Sequence, residues 1–163
     1  MNKLALAAVI LTAMGTLAPS AAAAAPVTYT VSGSVTATCN YTGGTIPFGT
    51  IGLNSDGTVA SGQSASSTAQ TGFYCNGAGT TLDLSHTAMT DGVTAPSGFT
   101  STIDFTPAVV VGGVDKKVGD GTGTALGAIA GSLVVDARNL TATGKVTAGT
   151  YSGSVTLTLT PAL

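Results

Sequence analysis

Few side chains in this sequence could carry chemistry: Cys39, Cys75, His86 and seven aspartates. Two cysteines can form a bridge, or hold a metal through their thiolates if further ligands join them. A two-thiol metal site lacks that company, because His86 is the chain's one histidine. His86 lies in Leu84-Ser-His-Thr87, and the sequence contains no glutamate to orient it. Catalysis by a hydroxyl needs a base within reach of the nucleophile, yet Ser85 adjoins His86 along the chain and would point to the opposite face of a strand. His86 therefore reads as an ordinary surface or loop histidine. Asp104, Asp115 and Asp120, with Gly119-Asp-Gly-Thr-Gly123, faintly suggest calcium, but the regular oxygen spacing and terminal Glu are missing. The same glycines lack the Lys and following helix of a phosphate loop. Asn40-Tyr-Thr42 and Asn139-Leu-Thr141 are sequons that read as chance matches. No catalytic residue, cofactor or metal site is expected.

The elements that position these residues read as strands. From Thr150 to Pro161, apolar Tyr151, Val155, Leu157 and Leu159 alternate with hydroxyl residues, the period of a strand with one face inward and one wet. The sequence given stops at Leu163, so this last strand is expected to leave a pairing position unfilled. At the other end, Val27, Tyr29, Val31, Val35, Ala37 and Cys39 share one parity and predict a strand over Val27–Cys39. A strand to spare and a vacancy together suggest polymerisation by strand donation.

Between them, Thr42-Gly-Gly-Thr45 is a turn, and Ile46–Ile51 is a short apolar stretch whose Pro47 argues for an edge. Asn54–Ser67 is polar around an Asp56-Gly57 turn. Thr68–Asn76 predicts a strand with Thr71, Phe73 and Cys75 on one face, and Leu82 and Leu84 another, short one. Ser85–Ser101 reads as looser chain. Ile103, Phe105 and Val109–Val111 predict one or two strands interrupted by Pro107. Gly112–Gly127, rich in glycine and charge, reads as an edge loop, followed by a strand at Ser132–Ala137 and a connection over Asn139–Gly149. Short strands between turn signals imply an all-β sandwich.

Lys3, the apolar run Leu4–Leu17 and the small residues of Ala21–Ala25 make a secretory leader, with cleavage expected between Ala23 and Ala25. The organisation is then a signal peptide over 1–24, an N-terminal extension over 25–31 and one domain over 32–163. The remainder is rich in Gly, Thr, Ser, Ala and Val, a β-forming composition. Disorder needs low hydrophobicity and high charge, and this chain has the reverse. Without Lys3, four cations face seven aspartates, for a net charge of −3, and no basic stripe exists for nucleic acid. Lys116-Lys117 reads as a solvated turn. An exported chain meets an oxidising compartment, which favours a Cys39–Cys75 disulfide over the metal site.

A cysteine ending the first strand, then Phe48-Gly-Thr-Ile51, a second cysteine at 75, and Ala148-Gly-Thr-Tyr-Ser-Gly-Ser-Val-Thr-Leu-Thr-Leu-Thr160 complete a pattern. It resembles bacterial chaperone–usher pilus subunits, nearest the spore coat protein U-like, archaic-pilin group. The resemblance implies an all-β, incomplete immunoglobulin-like β-sandwich completed by donor-strand exchange. It implies a periplasmic chaperone, an outer-membrane usher and neighbouring copies of the chain as partners, with no nucleic acid and no small-molecule substrate. The donor segment falls on Ala25–Val31, with Val27, Tyr29 and Val31 filling pockets, and Cys39 and Cys75 match the family bridge. The acceptor groove would be flanked by the first strand and by Tyr151, Val155, Leu157 and Leu159. Met89–Gly127 departs from the pattern. The expected function is a structural subunit of a surface fimbria supporting adhesion or biofilm formation, and not an enzyme. A non-filamentous spore-coat or matrix protein on the same fold, or a tip adhesin, are the alternatives.

Overall fold

The computed structural model describes residues 28–163, so the leader and Val27 lie outside the described residues. Residues up to Ser34 form one unit and Val35–Leu163 the other. In the first, Thr28–Ser34 carries no strand, and Tyr29 and Val31 are exposed.

The second unit is all-β, with no helix among the described residues. Its strands are β1 (Cys39–Asn40), β2 (Ala65–Ser66), β3 (Gln70–Cys75), β4 (Thr81–Thr90), β5 (Phe99–Thr100) and β6 (Thr102–Val111). After them come β7 (Val114–Val118), β8 (Gly121–Ala125), β9 (Ile129–Thr141), β10 (Lys145–Val146) and β11 (Ser152–Thr160). The main sheet runs β1-β3-β9-β6-β4-β11, with β2 on β9, β7 on β6 and β8 on β4, and it curls into a nearly closed, sandwich-like layer pair. β5 and β10 form a separate parallel pair.

One strand joins the two layers. β6 pairs with β4 through Thr102 and Ile103, then with β9 from Asp104 to Val111. The core follows this division. Phe73, Leu82, Leu84, Val109, Leu133 and Leu159 form one buried cluster, and Met89, Ile103, Phe105, Ala137, Leu140 and Val146 the other.

Several sequence expectations need correction. Of the strand predicted over Val27–Cys39, the described residues show pairing only at its end, Cys39, in β1. What does hold the entry is Asn76, whose Oδ1 accepts from Thr38 N–H at 2.6 Å while its Nδ2 donates to the Thr36 carbonyl at 3.0 Å. On β3, Phe73 and Cys75 are buried but Thr71 is exposed. Gly72, at φ +80, shifts the register between them and turns Thr71 outward.

Ser85–Thr90 is not loose chain but the second half of β4. Pro107 does not interrupt β6. Its carbonyl accepts from Gly119 N–H on the β7 side, just past the last β7 residue, where no partner needs the N–H that proline lacks. Gly112–Gly127 forms strands rather than an edge loop. Gly112 and Gly113 both take positive φ and close a two-residue hairpin between Val111 and Val114, the geometry such turns demand.

Cys39 and Cys75 are bonded and are register partners of the β1–β3 pair. With a sequence separation of 36, the bridge constrains the unfolded chain considerably. Reduction, or Cys39→Ala with Cys75→Ala, is expected to cost about 2–4 kcal/mol. Urea unfolding of oxidised and reduced protein, with alkylation and mass spectrometry to count thiols, measures this.

Candidate functional site

β11 pairs with β4 along its length, from Ser152↔Thr90 to Thr160↔Thr81. No other strand pairs with β11 among the described residues. One row of its backbone groups therefore faces a gap. That gap is a groove of about 1330 Å³, larger than the usual small-ligand cleft. At the rise of a strand, the part of β11 that lines it, residues 152–157, makes it roughly 20 Å long.

The floor of the groove is core. Met89, Ile103, Phe105 and Leu133 line it while remaining at least nine-tenths buried. Tyr151, Val155 and Leu157 form the β11 wall, half-buried. Leu159, expected in the same wall, instead packs into the first core cluster beyond the groove's end. The opposite wall is Tyr41–Leu53, where Ile46, Phe48 and Ile51 pack against the second cluster. No charged side chain lines the groove among the described residues.

The Tyr41–Leu53 wall has almost no strand pairing of its own, apart from an isolated Leu53↔Val59 bridge. The chain's two glutamines replace it. Gln70 Oε1 accepts from Thr42 N–H at 2.8 Å, and its Nε2 donates to the Thr42 carbonyl. Gln63 Oε1 accepts from Gly52 N–H at 2.6 Å, and its Nε2 donates to the Gly52 and Ala60 carbonyls, both at 2.9 Å. Each primary amide thus pairs with one residue's N–H and C=O as a ladder residue would. Nothing in a single sequence distinguishes such glutamines from solvated ones, so the reading of the residues missed both.

One end of the groove is set by Thr147–Tyr151. Tyr151 donates to the Thr147 carbonyl at 2.8 Å, and Thr147 Oγ1 donates to Asp91 Oδ2 at 2.5 Å. Asp91 is held below the usual carboxylate range, chiefly by that Thr147 hydroxyl and then by Val93 N–H. This network fixes Tyr151 at the start of the β11 wall.

The remaining candidates lie outside the groove. His86 is not a loop residue: it sits on β4 with its ring largely covered and a carboxylate at each nitrogen. Asp115 is paired in bidentate fashion with Arg138 at 2.8 and 2.9 Å, and Arg138 also meets Asp136 at 2.6 Å. No three His, Cys, Asp or Glu side chains converge as metal ligands among the described residues.

The trough is lined by hydroxyls, backbone groups and apolar side chains. It can bind an extended, apolar segment: the β11 edge would take its main chain and the floor its alternate side chains. Gln63→Ala should remove three hydrogen bonds from the far wall. The expected loss is about 1–3 kcal/mol, with faster hydrogen exchange at Gly52 N–H, read by urea titration and by exchange NMR.

No family model, curated protein or solved structure matches this chain.

Proposed function

We propose that this chain is the structural subunit of a surface fimbria, an incomplete immunoglobulin-like sandwich completed by a strand from a neighbouring copy. The observation that carries the reading is the open groove beside the unpaired β11 edge. A folded domain that leaves both a row of backbone groups and an apolar floor uncovered needs a partner strand. The chain itself carries a candidate donor over Ala25–Val31, of which Tyr29 and Val31 are exposed and unpaired into strands. Their alternation, with Val27 outside the described residues, matches the side-chain period the groove would accept.

Addition of one copy's segment to the next copy's groove is a head-to-tail contact, which grows open filaments when it does not close into a ring. Before assembly the groove needs a temporary occupant, so a periplasmic chaperone that lends a strand and an outer-membrane usher are the proposed partners. Export through the periplasm to the cell surface, and a role in adhesion or biofilm formation, follow from the same reading.

A copy of residues 25–36 added after Leu163 through a flexible linker tests it. The tethered strand should reach millimolar effective concentration and yield a monomer. Occupancy at a thousand times Kd is worth about 4 kcal/mol, and hence about 8–16 °C in Tm. Val155→Asp in the same chain should abolish the gain. An unchanged Tm and oligomeric state on adding the strand would show the sandwich to be complete without it. In cells, deletion of residues 25–31 should leave chaperone binding intact and prevent fibres.

A further inference from the structure

The second neighbour of β4 changes along its length. Its first half pairs with β8, ending at Leu84↔Gly121, and its second half with β6, beginning at Met89↔Ile103. Ser85–Ala88 therefore has no strand partner on that side. His86 lies in this gap. Asp120 is the residue just before the last β8 pairing, and Asp104 the residue just past the last β6 pairing. The two carboxylates thus sit at the two lips of the gap, with the imidazole between them.

The geometry is specific. His86 Nδ1 is 2.9 Å from both Asp120 carboxylate oxygens, and Nε2 is 2.8 Å from Asp104 Oδ1. The ring also packs on Phe105, with centroids 4.8 Å apart. A neutral imidazole has one N–H and one lone pair, so in either tautomer one nitrogen would face a carboxylate without a proton. Only the imidazolium satisfies both contacts.

We propose that Asp104–His86–Asp120 is a proton-dependent clamp that replaces the missing ladder across β4 and releases the β7–β8 end when the imidazolium is deprotonated. The charged groups around it agree. β6 contributes Asp104, the β7–β8 turn Asp120, and β11, whose Val155 is the register partner of His86, contributes no charge. On β4 itself, Asp83 is occupied by Gly123 N–H at 2.5 Å. Lys117 of β7 extends to Gly121, the residue after Asp120.

Burial of the ring lowers the His86 pKa, but the hydrogen bonds that its N–H groups donate to Asp120 and Asp104, with the carboxylates' charge, outweigh it and raise the net value above 6.5. A raised folded pKa gives stability that is complete below 6.5 and is lost as pH rises through the folded value. Asp104 moves the other way: its bond to His86, ahead of the opposing burial, lowers it below 3.8. Its contribution is present above 3.8 and lost as pH falls through the lowered value. The clamp is strongest in mildly acidic solution and opens toward alkaline pH. It does not depend on what fills the groove.

Because the chain has one histidine, its imidazole can be titrated by NMR without ambiguity. In the full domain the midpoint should lie above 6.5 and move down toward it in Asp120→Asn. Tm should fall by about 2–4 °C between about pH 5.5 and 8.5, with loss of amide protection in β8 but not β9. Asp120→Asn and His86→Gln should each flatten that slope. Asp120 is half exposed, so its variant serves even where His86→Gln fails to fold. A midpoint at or below 6.5, or an equal Tm slope in wild type and Asp120→Asn, would overturn the clamp.

Discussion

The structure depends on one missing wall. At one end of the main sheet, β11 shows an unpaired backbone row beside Met89, Ile103, Phe105 and Leu133. Apolar side chains packed at the floor of an open trough forfeit part of the contact that a closed core would give them. The unpaired row cannot be buried without a hydrogen-bonding partner. Both deficits have the same remedy, an extended chain with alternating apolar residues. On the proposed reading, a strand supplies both.

The far side of the trough shows how much is required to hold a segment without a ladder. Tyr41–Leu53 is fixed at its two ends by Gln70 and Gln63, and the disulfide holds β1 just before it. Cys75 is buried beside Phe73, so the bridge ties the segment directly to the first core cluster. The middle, Gly43–Gly49, is held by apolar contact of Ile46 and Phe48 alone. A wall pinned at its ends and free in its middle can accommodate an incoming strand without rearranging the core.

Much of this was legible in the residues, and the failures have physical causes. The last strand, the all-β class and the Asp56-Gly57 turn followed from period and turn chemistry. Gly112–Gly127 forms strands where its glycine density suggests a loop, because glycine permits tight turns as readily as irregular chain. Here Gly112-Gly113 makes the hairpin, and β7 is held by pairing to β6. Pro107 was misread because proline forbids a donor, not a strand, and its donor side faces the end of β7. His86 was misread because its partners, Asp104 and Asp120, are distant in sequence and meet it only where β6 changes layers. Tyr151, Val155 and Leu157 line the groove, whereas Leu159 is core and the first strand contributes no lining among the described residues. The groove's far wall was not anticipated, since the two glutamines carry no periodic signal.

Magnitudes explain why an accepting site of this kind needs both of its features. On the proposed reading, seven residues, Ala25–Val31, become ordered, at about 1–2 kcal/mol each, or roughly 7–14 kcal/mol. Burying Val27, Tyr29 and Val31 contributes about 1.5–3 kcal/mol apiece, or roughly 5–9 kcal/mol. Near the middle of these ranges the apolar floor alone falls short of holding the strand. The difference must come from main-chain hydrogen bonds to β11, at about 1 kcal/mol each. A free edge without a trough falls short by a larger margin, because the bonds alone are too few. Charge on the floor would tip the balance further, since a buried unpaired carboxylate costs more than any one pocket side chain contributes. The uncharged lining, the open edge and the alternating residues are thus parts of a single requirement.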